Sequence, residues 1–300
     1  MTDGGRRLRM REAGRLPEAE PLFDRIGIVG LGMIGGSLAL AVRQVWPKTL
    51  VIGVDTNDVM ERAVQRQAVD VGAADLTILS DAELVVLAAP VSVNLRLLPQ
   101  LADHVRGECI VTDVGASKRS IVDAAKGLPG RLRFIGGAPL AGAPRMGFEA
   151  ARADLFANRP WVLTPSDGSA LALARLSQFV LGVGAVPVDM TAQQYDHVAA
   201  YLTQMPQVVA SALMRIVGAG IGAEGLALAG SGLADMTRLA ACPPDVWKDV
   251  FADNADQIGA AVDALIAALT SVRGRLADGV AIDELFDAAE AWREQMPPRP

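Results

Sequence analysis

The segment RIGIVGLGMIGGS, Arg25 to Ser37, constrains the fold more than any other part of the chain. An apolar run long enough for one buried strand leads directly into Gly30, Gly32 and Gly35, and helical spacing follows at once. In that setting each glycine has a physical task. The first permits a tight turn, the second lets the backbone approach a pyrophosphate, and the third lets helix pack on strand. The opening turn of the helix, with Met33 and Ile34, directs free N–H groups at the phosphates. Asp55 ends the next strand, VIGVD, where an acid can accept from the adenosine ribose hydroxyls. The same acid repels a 2′-phosphate, so NAD is expected and NADP disfavoured.

Apolar strands and amphipathic helices alternate from there. TLVIGVD, AELVVLAAP, CIVTDVG, LRFIGG, PWVLTP and AVPVDM read as strands, with VNLRLLPQLADHV and RSIVDAAKGL among the helices between them. Such alternation indicates an α/β, Rossmann-type domain with a parallel sheet covered on both faces. LAAPV and TDVGASK end strands at the edge where such sheets bind ligands, so Ala89, Pro90 and Gly115 join the expected cofactor cleft. After Met190 only helical patterns remain. Thr191 followed by Gln194 has the capping-box spacing of a helix start. The expected organisation is a disordered tail over 1–24, a nucleotide-binding domain over 25–190 and an all-helical substrate and dimerisation domain over 191–296.

Net charge −6 and a pI near 5.1 argue against nucleic acid or an anionic membrane surface as partner, though an arginine can still hold a small anionic substrate. Charged residues punctuate the chain, and no unbroken membrane span is expected. The N-terminal residues mix both charge signs and lack a signal peptide's apolar core. Cys109 and Cys242 make neither a disulfide framework nor a metal cluster, and two histidines cannot build a multi-histidine site. A cytoplasmic protein without metal is expected. The Ala-, Leu- and Met-rich helices between Tyr195 and Ala268 carry more apolar surface than one small bundle needs, which points to a homodimer.

The ordered motifs GLGMIGGS, LAAP, TDVGASKR, GGAPLAG, DLFANRPWVLTP, YDHVAAYLTQMPQ, AGSGLADMTRLA and PPDVWKDVFADN resemble those of the prephenate and arogenate dehydrogenases, over roughly Arg25 to Met296. The resemblance implies oxidation of prephenate or arogenate with NAD or NADP, loss of CO₂, and a tyrosine-forming product. It also implies that Arg238, in MTRLA, grips a substrate carboxylate, a task suited to its planar fork of donors.

At the chemistry-bearing positions the chain departs from the family. Ala138 stands where the family has a histidine facing the substrate's C4 hydroxyl. Ala143 and Pro144 replace a small hydroxyl residue and an acid. Thr203-Gln204-Met205-Pro206 replaces SHLP, and Ala116 replaces a common serine that Ser117 is adjacent to. Ser117 and Gln204 are the expected catalytic side chains. Arg238, Ala138, Ala143, Thr203 and Gln207 are expected around the substrate. His197, Tyr201 and Gln204, at i, i+4 and i+7, share one face of a regular helix. A tyrosine or water could then relay a proton to His197, while Lys118 and Lys248 are further conceivable bases. Three readings stay open: an ordinary family enzyme with unusual residues, an enzyme for an analogue such as 4-amino-4-deoxyprephenate, or a catalytically silent NAD-binding protein with a regulatory or assembly role.

Overall fold

A computed structural model describes residues 20–142, 146–166 and 168–296. In chain order it runs β1 (Arg25–Val29), α1 (Met33–Val45), β2 (Leu50–Val54), α2 (Asn57–Gln65), β3 (Val71–Ala73), β4 (Leu84–Leu87), α3 (Val91–Leu97) and α4 (Leu101–His104). Next come β5 (Cys109–Asp113), α5 (Arg119–Ala125), β6 (Leu132–Pro139), β7 (Pro160–Thr164), α6 (Ala170–Gly182) and β8 (Val186–Asp189). From there on the described residues are helical: α7 (Ala192–Ala199), a π-helical turn (Ala200–Gln204), α8 (Met205–Leu226), α9 (Ser231–Thr237), α10 (Pro244–Asp253), α11 (Ala255–Gly274) and α12 (Gly279–Glu294).

The strands form one sheet in the order β3-β2-β1-β4-β5-β6-β7-β8. Alternation along each strand divides the core between its two faces. Ile26, Ile28, Leu84, Val86 and Ile135 pack on one side with Leu38 and Val42 of α1, Trp46 just beyond its end and Phe179 of α6. Val29, Val85, Leu87 and Val111 pack on the other with Leu98, Leu101 and Ile121. Trp46 stacks on Phe179 at 5.5 Å, closing the corner between α1 and α6.

Several sequence expectations need correction. The sheet is not parallel throughout: β7 runs antiparallel to β6, pairing Gly136 with Thr164 and Pro139 with Trp161. Hydrophobic alternation reports burial, and it carries no sign of strand direction. Strand β3 is too short and too exposed to give an apolar run. The helix expected over VNLRLLPQLADHV splits into α3 and α4 around Pro99, whose ring cannot continue a helix. Residues 1–19 lie outside the described part, but the end of the expected tail does not behave as one. Phe23 is buried against Phe179, and its carbonyl accepts from the Thr49 hydroxyl. Finally, Ala192–Leu226 and Ala255–Gly274 are long and apolar enough, by length and composition, to cross a membrane, contrary to the reading of the sequence. Few of their residues are fully buried within the chain.

Candidate active site

Strands β1, β2, β4, β5 and β6 run parallel and deliver Gly30, Asp55, Ala88–Pro90, Asp113–Gly115 and Ala138 to one edge of the sheet. Strand order reverses between neighbouring, parallel β1 and β4, and the crevice at such a switch is where these sheets take a dinucleotide. Gly30 has φ +93°, and a Cβ there would stand 2.7 Å from the Ala88 and Ala89 backbone, so only glycine fits. A Cβ on Gly35 would overlap the Gly30 carbonyl oxygen, which fixes how closely α1 approaches the turn. At Gly32, by contrast, a Cβ meets nothing within 4 Å, and no side chain caps α1. An uncapped helix end thus faces open space across a backbone held in shape, which fits a dinucleotide pyrophosphate.

Asp55 sits at the end of β2. Its Oδ2 accepts from Leu31 N at 2.6 Å and its Oδ1 from Thr56 N at 2.7 Å, so it also staples the glycine turn. On the other side Asn94, buried in α3, donates to the carbonyls of Leu87 and Ala89 and holds the LAAP turn. Asn94 carries no signature of this role, because a lone asparagine in a helix reads as surface.

The candidate reaction end of the cleft is built on Asp113, which is buried at the end of β5. Its Oδ2 accepts from Gly115 N at 2.8 Å, its Oδ1 from Gly137 N at 3.1 Å, and it pairs with the Lys118 ammonium. One carboxylate thus joins the Gly115 loop to β6 just before Ala138. Lys118 is fully buried; burial lowers its pKa while Asp113 opposes the shift. Its backbone N–H and that of Arg119 both donate to Asp196 of α7, whose carboxylate caps the start of α5. Arg119 extends to Asp196, Asp256 and Asn254. Hydrogen bonds from Arg119 and then Gln257 hold the Asp256 carboxyl well below the usual range. Arg119 therefore ties α5 to α7, to α11 and to Asn254, the residue joining α10 to α11.

Ala138 is 1% exposed, and its methyl packs with Val162, Tyr195 and Ala199. Burial, then Asp113 and Asp196, push the Tyr195 phenol upward, so it stays protonated. Gln204 is buried, with Nε2 on the Ala116 carbonyl and Oε1 on Asn254, while the adjacent Ser117 is buried with no partner among the described residues for its Oγ. Gln207 donates to the carbonyl of Leu239, which brings the turn bearing Arg238 to the start of α8. Arg238 itself is exposed and makes no ion pair with any described residue. Thr203 points its hydroxyl back to Ala199 O and lines an apolar cavity of about 240 Å³ with Leu140, Val162 and Tyr195. Ala143 and Pro144 lie outside the described residues.

The shared face of His197, Tyr201 and Gln204 is not found. The π turn over Ala200–Gln204 shifts the register, leaving Tyr201 40% exposed while Gln204 is sealed inside. His197 is exposed, stacks edge-on against Tyr201 at 5.2 Å and meets Gln257. Lys248 is exposed and pairs with Asp245. Neither His197 nor Lys248 reaches the reaction end. Asp196 and Asn254, absent from the sequence reading, stand at its centre.

Comparison with known proteins gives one family for both regions. Residues 38–189 match the prephenate dehydrogenase nucleotide-binding domain and residues 191–288 the prephenate dehydrogenase dimerization domain. The chain is 32% identical over 285 residues to the prephenate dehydrogenase of Bacillus subtilis (strain 168), covering 92% of this chain and 77% of that one. Among solved structures, the Synechocystis arogenate dehydrogenase is 29% identical with a TM-score of 0.78, over 90% of this chain and 99% of that one. The prephenate dehydrogenase from A. aeolicus in complex with hydroxyphenyl propionate and NAD+ is 25% identical with a TM-score of 0.84, over 91% and 98%.

Proposed function

The chain belongs to the prephenate dehydrogenase family, and from that premise we propose an NAD-dependent oxidative decarboxylation of a prephenate-class cyclohexadiene, with 4-amino-4-deoxyprephenate as the preferred substrate. Gly30, Gly32, Gly35 and the opening turn of α1 would hold the pyrophosphate, and Asp55 the adenosine ribose. Ala89, Pro90 and Gly115 would line the cleft beyond. When bound, the nicotinamide supplies an acceptor for the hydride lost from C4. Asp55 would select NAD by repelling a 2′-phosphate. Arg238, exposed and uncommitted among the described residues, would bind a substrate carboxylate.

One observation carries the choice of substrate: neither position 138 nor position 204 offers a free base. Ala138 is a methyl group in an apolar cluster, and both ends of the Gln204 amide are already bonded. Oxidation at a hydroxyl-bearing carbon leaves a protonated carbonyl, a strong acid, and a general base is worth roughly 10²–10⁴-fold there. At an amine-bearing carbon the product is an iminium that is stable while protonated. Loss of CO₂ then returns two electrons to the ring and leaves a neutral arylamine, with no base needed at that step. The amine must arrive uncharged, and the apolar surround of Ala138 disfavours its ammonium form.

The test is NAD reduction by the purified protein with prephenate, arogenate and 4-amino-4-deoxyprephenate. The expected result is a higher kcat/KM for the 4-amino compound, and a gain on prephenate in the Ala138→His, Gln204→His double variant. Efficient oxidation of prephenate with no preference for the amine overturns the substrate assignment. NAD binding without turnover of any of the three overturns the enzymatic one.

A further inference from the structure

Between the sheet and the helices runs a chain of amide hydrogen bonds whose polarity is fixed at every end. Arg119 can only donate, and its Nη2 bonds Asn254 Oδ1 at 2.9 Å. The carbonyls of Asp196 and Ala116 can only accept. Asn254 Nδ2 donates to Asp196 O at 2.9 Å and to Gln204 Oε1 at 2.7 Å, and Gln204 Nε2 donates to Ala116 O at 2.9 Å. Three ends of known polarity therefore determine the orientation of both amides, with no freedom to flip either. Asn254 and Gln204 are both 0% exposed, so water does not compete for these bonds.

We propose that Asn254 is a positioning residue: acting through Gln204, it pins the Ala116 carbonyl and so holds the loop from Gly115 to Lys118 at its working height above the sheet. The loop is gripped from both sides. Asp113 holds the Gly115 N–H from below, and Gln204 holds the next carbonyl from the helical side. Ala116 supplies no polar side chain of its own, so its carbonyl is the handle available to the helices at that residue. The role of position 204 in this chain is then registration of the helices on the cofactor loop. The position must present an acceptor to Asn254 and a donor to Ala116, which an amide or a neutral imidazole does and a carboxylate does not. Asn254 must donate toward position 204, which an aspartate cannot do.

The experiment is amide hydrogen exchange over residues 115–119 in the full chain without cofactor, which does not depend on any substrate assignment. Gln204→Glu and Asn254→Asp should each raise exchange there roughly tenfold, the scale of one lost buried hydrogen bond. Gln204→His should stay near the parent rate. Combining Gln204→His with Asn254→Asp should restore protection, because an imidazolium can donate to both the new carboxylate and Ala116 O. With a confirmed substrate, Asn254→Asp should lower kcat more than it raises KM; this kinetic arm alone rests on the dehydrogenase reading. Parent-like exchange in both single carboxylate variants overturns the proposal, as does equal loss in Gln204→His and Gln204→Glu. If Asn254→Asp does not fold, the comparison of Gln204→Glu with Gln204→His decides the matter alone.

Discussion

A single methyl group at Ala138 closes the apolar cluster of Val162, Tyr195 and Ala199, and the proposed choice of substrate turns on what that side chain cannot do. Other residues at this edge have separable tasks. Arg238→Ala should raise KM for the active substrate roughly tenfold or more, about 1.4 kcal/mol, and leave NAD affinity nearly intact. An unchanged KM for every active substrate removes Arg238 from the site. Asp55 already has a structural task, accepting from Leu31 N, beside the one proposed for it at the ribose. Asp55→Ala should narrow the preference for NAD over NADP and cost about 1–3 kcal/mol of stability for the lost acceptor. Paired cofactor titrations and thermal melts check both, and tighter binding of NADP by the parent protein contradicts the assignment. Residues such as Gly30 were legible from sequence because their constraint is local: one backbone angle and one close approach. Asn254, Asp196 and Asn94 were not, because their work is done on partners distant in sequence or on carbonyls that every residue has. Asn254 bonds Gln204 fifty positions away, and nothing in the letters marks that pairing.

Elements with a strong period were readable, and departures came where periodicity is broken by one residue. The capping box at Thr191 and Gln194 is present with both reciprocal bonds, as its spacing predicts. The π turn five residues beyond Tyr195 has no such signature. It turns the helix so that Gln204 faces Ala116 while Tyr201 faces outward. Deleting Leu202 should let the turn close to regular α-helix, withdrawing the extra residue whose bulge sets Gln204 against Ala116. The expected outcome is unchanged helical content by circular dichroism with turnover reduced at least about tenfold. Full activity in the deletion variant would show that the turn is incidental. Strand direction was illegible for a different reason: β7 has the same apolar letters whichever way it runs.

At the scale of the whole molecule, the helical region leaves apolar side chains outside. Ile216 on α8, Ile266 and Leu269 on α11 and Phe286 on α12 are all more than half exposed. The match to a dimerization domain makes a second copy of the chain the expected cover for that surface. Light scattering at micromolar concentration should find two copies. Ile266→Asp combined with Leu269→Asp, three residues apart on one helical stripe, should shift the mass toward one. A monomeric parent protein overturns this reading.

The reversal between β6 and β7 bears on how such a protein can change over generations. Because the two strands pair in opposite directions from Gly136–Thr164 to Pro139–Trp161, the intervening chain leaves and re-enters the sheet at one edge, beside the site. Phe148 and Phe156 anchor its far part in the core, which leaves residues 140–147 as the stretch joining strand to anchor. Changes of sequence or length between Pro139 and Gly147 leave the register of β6 on β7 and the Gly30 turn in place. A new residue there can therefore alter what the edge meets while the nucleotide-binding turn keeps its own constraints.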